Sequence, residues 1–150
     1  VIQDMLMHGK TFTMSHVRDY VDVGTIEEWT KYNDKPVVFC DIDGTLIHSQ
    51  SRFGENSYYS EPVVLKNNYE VIKDMYDRGA QIIFTTSRET KYHDVTQTML
   101  NKLGFTDCLL LSGLNISSRI LINDFNESNP YPRAIAFNPK RDKDNLKDFI

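Results

Sequence analysis

Two acidic residues bracket an isoleucine in Asp41-Ile42-Asp43-Gly44-Thr45, directly behind the apolar run Val37-Val38-Phe39-Cys40. If that run is a strand and Asp41 its last residue, the Asp41 carboxylate points into the mouth of a site, and Asp43 can point the same way. Gly44 permits a close backbone approach and Thr45 can donate a hydrogen bond, which makes both candidate substrate-binding residues. A solvated acidic turn is the plain alternative for such a motif by itself. A second acidic end, Ile122-Asn123-Asp124, follows another apolar run, however. Carboxylates gathered at one sheet edge repel one another unless a hard divalent cation with oxygen ligands compensates them. Mg²⁺ is the expected ion.

A carboxylate can attack phosphorus when a metal and nearby donors neutralise the phosphoryl oxygens, and a second carboxyl group can protonate the leaving oxygen. The expected roles are Asp41 as nucleophile and Asp43 as general acid and then base, taking a proton from the water that hydrolyses the phospho-aspartate. A third group of donors stands at Thr85-Thr86-Ser87-Arg88, behind Gln81-Ile82-Ile83-Phe84. Its hydroxyls and the N–H groups opening the next segment would form a phosphate-sized cluster, although Thr and Ser also cap helices. Ser87 is a candidate substrate contact. Arg88 either contacts substrate or orders the loop.

These residues need a parallel α/β scaffold to bring them together. Lys35 to Thr45 reads as a strand buried on both faces, followed by a loop from Ile47 to about Ser60. Pro62 stands where a first helical residue would, apolar positions recur from Val64 to Tyr76, and Gly79 is a stop. Gln81 to Thr85 gives the next strand and Tyr92 to Leu103 the next helix, closed by Gly104. The runs CLLL, RILIND and RAIAFN predict three further strands, and a last helix is expected from near Asp142, burying Leu146 and Phe149. Strands alternating with helices imply a Rossmann-like parallel sheet whose ligands sit beyond the carboxyl ends of the strands. The loop around Glu127 to Pro132 is short enough to be functional.

Residues 1–33 break this rhythm, with a short strand expected at Tyr20 to Val23 and a short helix from Thr25, its hydroxyl capping with Glu28. They form an extension or the remnant of an upstream domain, while 34–150 form the main domain. The chain begins VIQDML without an initiator Met, as a processed chain or a piece of a longer protein would.

Composition narrows the classes. Of 150 residues, 17 are Lys or Arg and 21 are Asp or Glu, for a net charge of −4 that gives no global attraction to nucleic acid or an anionic membrane. No apolar run approaches the roughly 20 residues that span a bilayer. The cysteines, Cys40 and Cys108, stand in apolar surroundings and suit buried thiols in a reducing compartment, so a cytoplasmic location is expected. His8, His16, His48 and His93 lack paired ligand spacing, and no GxxxxGK phosphate loop is present. Tyr58 and Tyr59 are equally suited to lid contacts and to packing.

DIDGTL behind VVFC resembles the first motif of the haloacid dehalogenase-like phosphohydrolase superfamily, in which the leading Asp forms the phospho-aspartate. TTSR behind QIIF resembles the second motif, with the phosphate-binding hydroxyl falling on Thr86, and LIND resembles the acidic fourth motif. The resemblance, covering about Lys35 to Ile150, implies a magnesium site formed by Asp41, the backbone carbonyl of Asp43 and Asp124. It also implies a basic third-motif residue, usually Lys. No Lys lies between Lys102 and Lys140, so Arg119 is the candidate for that catalytic charge, its alternative being an ion pair at the start of a strand.

Only a loop fits between Thr45 and Pro62, and Thr86 to Asp124 is taken up by a helix, a strand and connections, so a minimal cap or none is expected. YVDVGTIEEW resembles the closing segment of sugar-phosphate nucleotidyltransferases, and SNPYPRAIAFNPKRDKDNL resembles phosphatase-like domains near capsule or surface-polysaccharide genes. These likenesses imply an upstream nucleotidyltransferase domain and a sugar phosphate as the small-molecule partner. A neighbouring copy in a homo-oligomer could enclose such a substrate. The leading expectation is a magnesium-dependent phosphomonoesterase. Its alternatives are a non-catalytic phosphate-binding or regulatory domain fused to a nucleotidyltransferase, and a phosphatase for macromolecular phosphates.

Overall fold

The computed structural model describes residues 7–9, 11, 24–26, 28, 29, 35–50, 54–124, 127 and 134–150. The chain falls into two compact units, Val1–Asp34 and Lys35–Ile150. In the first, Thr25 and Glu28 form a reciprocal cap: Glu28 N donates to Thr25 Oγ1 at 3.1 Å, and Thr25 N donates to Glu28 Oε2 at 3.0 Å. The strand expected at Tyr20 to Val23 lies outside the described residues.

In the second unit the β-branched and aromatic run Val37–Asp41 forms β1, Gln81–Thr85 forms β2 and Leu109–Leu111 forms β3. They make one parallel sheet in the order β1-β2-β3. The connections carry α1, Lys66–Asp77, and α2, His93–Lys102, so this is an α/β fold. Short 3-10 turns occupy Glu55–Tyr59, Thr90–Tyr92 and Leu146–Asp148.

One face of the sheet supplies the core. Cys40, Ile82, Phe84 and Leu110 pack with Ile72 of α1, Met99 and Leu100 of α2, and Phe105. Phe105 is the hub, with ring centroids 5.0 Å from Phe84, 5.4 Å from Tyr76 and 5.8 Å from Tyr69. Gly79 ends α1 at φ 92°, with Ala80 N donating to Met75 O across the turn, and Gly104 closes α2 with the equivalent bond from Phe105 N to Leu100 O.

Four expectations are corrected. Burial of the first strand on both faces fails, because Val37 and Phe39 are exposed on the face opposite the core, as are Leu109 and Leu111 beside them. The runs RILIND and RAIAFN form no strand among their described residues; Ile120 and Ile122 project into solvent, so apolar composition there is not matched by ladder pairing. The helix expected from Asp142 is only the turn Leu146–Asp148, although Leu146 is buried as expected. Finally, Pro62 does not open a helix. His48 N donates to Val63 O at 2.8 Å and Leu65 N to Leu46 O at 3.1 Å, so this backbone is extended against the loop after β1, and α1 starts later.

Candidate active site

Parallel register brings the strand ends level: Asp41 pairs with Thr85, and Thr85 with Leu111. Beyond Asp41 the chain turns sharply, because Ile42 O accepts from Leu46 N at 3.0 Å and Ile47 N at 3.1 Å, while Gly44 N donates to Ile47 O at 2.7 Å. Gly44 has φ 90°, a conformation that side chains strain to adopt. A β-carbon there would lie 2.6 Å from Arg141 Cγ, so the absent side chain is also what lets Arg141 cross the turn.

The C-terminal segment is stitched onto this turn. Asp142 N donates to Gly44 O at 2.9 Å, Asp142 Oδ1 accepts from Ser49 N at 2.7 Å, and Arg141 donates to Ser49 Oγ. Asn68, fully buried at the start of α1, donates through Nδ2 to Thr45 O at 2.7 Å and to Lys143 O at 2.9 Å, and accepts from Leu146 N at 2.7 Å. His48 Nδ1 lies 3.8 Å from Asp142 Oδ1.

Asp41 reaches solvent on one side while protein atoms crowd it on the others. That partial desolvation, and next the charge of Asp43, raise its carboxyl pKa above the usual value; Arg119 and Arg141 act in the opposite direction. Two cations therefore bear on the Asp41 carboxylate. Arg119 donates to Asn115 O at 3.0 Å, Ser117 O at 2.8 Å and Ser87 Oγ at 3.3 Å, which fixes its guanidinium beside the loop after β2. Lys102 instead forms an exposed pair with Glu61 at 3.3 Å.

Thr86 is buried directly after β2. Its N–H donates to Leu111 O at 2.9 Å, and its Oγ1 accepts from Arg88 N at 3.1 Å, leaving the hydroxyl proton to donate. Arg88, a candidate substrate contact from sequence, is placed otherwise: it is buried and its guanidinium forks onto Asp43, with Nε to Oδ2 at 2.7 Å and Nη2 to Oδ1 at 2.9 Å. The loop-ordering alternative describes its position. Tyr58 stacks its ring 4.4 Å from the Arg88 guanidinium carbon and 4.9 Å from the Tyr92 ring, so it packs within this network.

Among the described residues no three His, Cys, Asp or Glu side chains are grouped closely enough to hold an ion; the expected site takes only two carboxylates, of Asp41 and Asp124, with the Asp43 carbonyl. The segment 118–124 runs without ladder pairing, so the strand expected to carry Asp124 is not formed. The Asp41 carboxylate at the end of β1 and the carbonyl of Asp43, two residues on in the same turn, are hard oxygens of the kind Mg²⁺ takes.

Sequence reasoning missed Arg141, Gln50 and Asn68. The basic run NPKRDKD was a signal for Arg141, but nothing in its spacing says that the chain returns to Gly44. Gln50 and Asn68 carried no signal, because a buried polar side chain is defined by distant partners.

No curated protein and no solved structure matches the chain. The family model described as PITM 1-3, LNS2 domain, matches residues 37–124, from the first residue of β1 through Asp124 and over more than half the chain. That span contains the Asp41 turn, the Thr86 loop and Arg119, and on this match the chain belongs to the LNS2 domain family, within the haloacid dehalogenase-like phosphatase superfamily.

Proposed function

We propose that this domain hydrolyses phosphomonoesters through a phospho-aspartate on Asp41. The observation that carries the reading is the position of Asp41 at the end of β1, level with Thr85 and under the influence of Arg119 and Arg141. Asp41 attacks phosphorus while the Thr86 hydroxyl and the two guanidiniums receive the phosphoryl oxygens. Asp43 protonates the departing oxygen and afterwards takes a proton from the attacking water. Bound Mg²⁺ would neutralise phosphoryl charge at the Asp41 carboxylate and the Asp43 carbonyl, with Asp124 as the proposed third ligand.

The substrate we propose is a sugar phosphate, in a cytoplasmic pathway of surface-polysaccharide synthesis. This rests on the likeness of the N-terminal segment to the end of a sugar-phosphate nucleotidyltransferase and on the minimal cap. Between Thr45 and Val64 the described residues hold one 3-10 turn and loop. A phosphate-binding domain without turnover is the second reading, favoured by the lack of a lysine between Lys102 and Lys140 and by the pairing of Lys102 with Glu61.

The test is phosphate release from a panel of phosphorylated metabolites, sugar phosphates included, with and without Mg²⁺. Turnover of sugar phosphates only with Mg²⁺ is expected. Tight binding of phosphate mimics without turnover of any substrate would favour the second reading and end the first.

A further inference from the structure

We infer that Arg88 is a positioning residue that holds the Asp43 carboxylate for the water-activating step and ties it to the loop carrying Gln50 and Tyr58. The inference rests on the phosphatase reading above and concerns its second half-reaction. Arg88 is 4% exposed, and each of its guanidinium nitrogens has a protein acceptor. Beyond the fork onto Asp43, Nη2 donates to Gln50 Oε1 at 2.8 Å and Nη1 to Thr96 Oγ1 of α2 at 3.2 Å. Gln50 returns to the same carboxylate, its N–H donating to Asp43 Oδ1 at 3.3 Å. The loop is then closed by Gln50 Nε2 on Ser57 O at 3.0 Å and by Ser57 Oγ on Gln50 O at 2.8 Å.

Three separate stretches of chain therefore fix one carboxylate: the loop after β2 through Arg88, α2 through Thr96, and the loop after the Asp41 turn through Gln50. The two bonds from Arg88 are parallel and bidentate, a geometry that fixes rotation as well as position. A carboxylate oxygen has two acceptor directions, and Oδ2 receives one Arg88 bond. The Asp43 side chain keeps 14% of its surface exposed, so an edge still meets water. Held this way, Asp43 keeps a direction for a proton while losing the freedom to turn from the site.

In the step concerned, the oxygen of water forms a bond to the phosphorus of phospho-Asp41, and one water proton passes to Asp43. The bond from phosphorus to the Asp41 oxygen breaks, its electron pair returning to the Asp41 carboxylate. Inorganic phosphate leaves, and Asp43 releases its proton to solvent. Arg88 itself forms no bond and exchanges no proton in this step; it acts through the Asp43 carboxylate it holds. Its effect is on where the base stands, and a misplacement of about 1 Å can cost about a hundredfold in rate.

The test uses the full chain with Mg²⁺ and p-nitrophenyl phosphate, whose leaving group departs without protonation, so that hydrolysis of the intermediate is isolated. Wild type, Arg88→Lys and Gln50→Leu are compared for steady turnover and for the fraction of Asp41 trapped as phospho-aspartate by acid quench. Arg88→Lys keeps the charge and loses the fork, so turnover should fall about tenfold to a hundredfold while the trapped fraction rises. Gln50→Leu, which leaves the fork in place, should shift both readouts the same way by less. A merely structural role would lower turnover and trapped fraction together, and that result, or unchanged turnover in Arg88→Lys, overturns the inference alone. A wild type with neither turnover nor trapped phosphate overturns the phosphatase reading and the inference with it.

Discussion

Replacing Gly44 by Ala perturbs the turn after β1 in two separable ways. At φ 90° any side chain meets left-handed strain of about 1–2 kcal/mol. The added β-carbon would also lie 2.6 Å from Arg141 Cγ and 3.3 Å from Nε, too close to stand unrelieved. Arg141 is a flexible side chain and yields by leaving its rotamer, at about 0.5–1.5 kcal/mol, and by weakening its bond to Ser49 Oγ. Gly44→Ala should therefore destabilise the domain by about 2–3 kcal/mol in total. The two parts separate in a double-mutant cycle with Arg141→Ala, which empties the space above the turn. In that background only the backbone strain is left, so the double variant should be about 1 kcal/mol more stable than the sum of the single changes implies. Urea unfolding of the four proteins measures this as a midpoint difference of about 0.5–1 M. Additive losses would show that Arg141 does not cross Gly44, and a neutral Gly44→Ala would refute the turn geometry itself.

Asp41→Asn should stabilise the fold at neutral pH. An acid whose pKa is raised on folding loses stability as pH climbs from its unfolded value, about 3.9, through the folded one, so the gain should be present at pH 7 and vanish near pH 3 in thermal melts. Solvent access to the carboxylate keeps that gain under about 1 kcal/mol. Arg119→Ala should weaken beryllofluoride or vanadate binding in Mg²⁺ with little change in melting, and Arg119→Lys should fall between; unchanged affinity in Arg119→Ala would remove Arg119 as the basic charge of the site. The Cys40 thiol, its pKa pushed up to about 12 by burial and then by Asp41, should be about one part in ten thousand thiolate at pH 8. Native alkylation followed by mass spectrometry should leave Cys40 unmodified, and rapid labelling would contradict its place in the core.

The elements that local chemistry determines were legible in the sequence. β1 and β2 follow from short apolar runs of β-branched and aromatic residues, and the ends of α1 and α2 from Gly79 and Gly104. What depends on distant partners was not. The stretch Val63 to Leu65 has helical spacing but bonds to 46–48, and RILIND has strand composition but forms no strand. At the site, the strand-end position of Asp41 and the loop position of Thr86 were readable from the runs before them. Arg88 was visible only as an arginine, because its burial against Asp43, Gln50 and Thr96 joins segments far apart in the chain. Arg141 was hidden for the same reason, at the far end of the sequence from the turn it crosses.

The central claim is that Asp41 is the nucleophile, and the most direct measurement is acid quench of the full chain during turnover with Mg²⁺, followed by peptide mapping. One phosphoryl group is expected on the peptide spanning β1, located on Asp41, and it should be lost together with turnover in Asp41→Asn. Turnover in Asp41→Asn near the wild-type rate, or a phosphoryl group on any other residue, would contradict it.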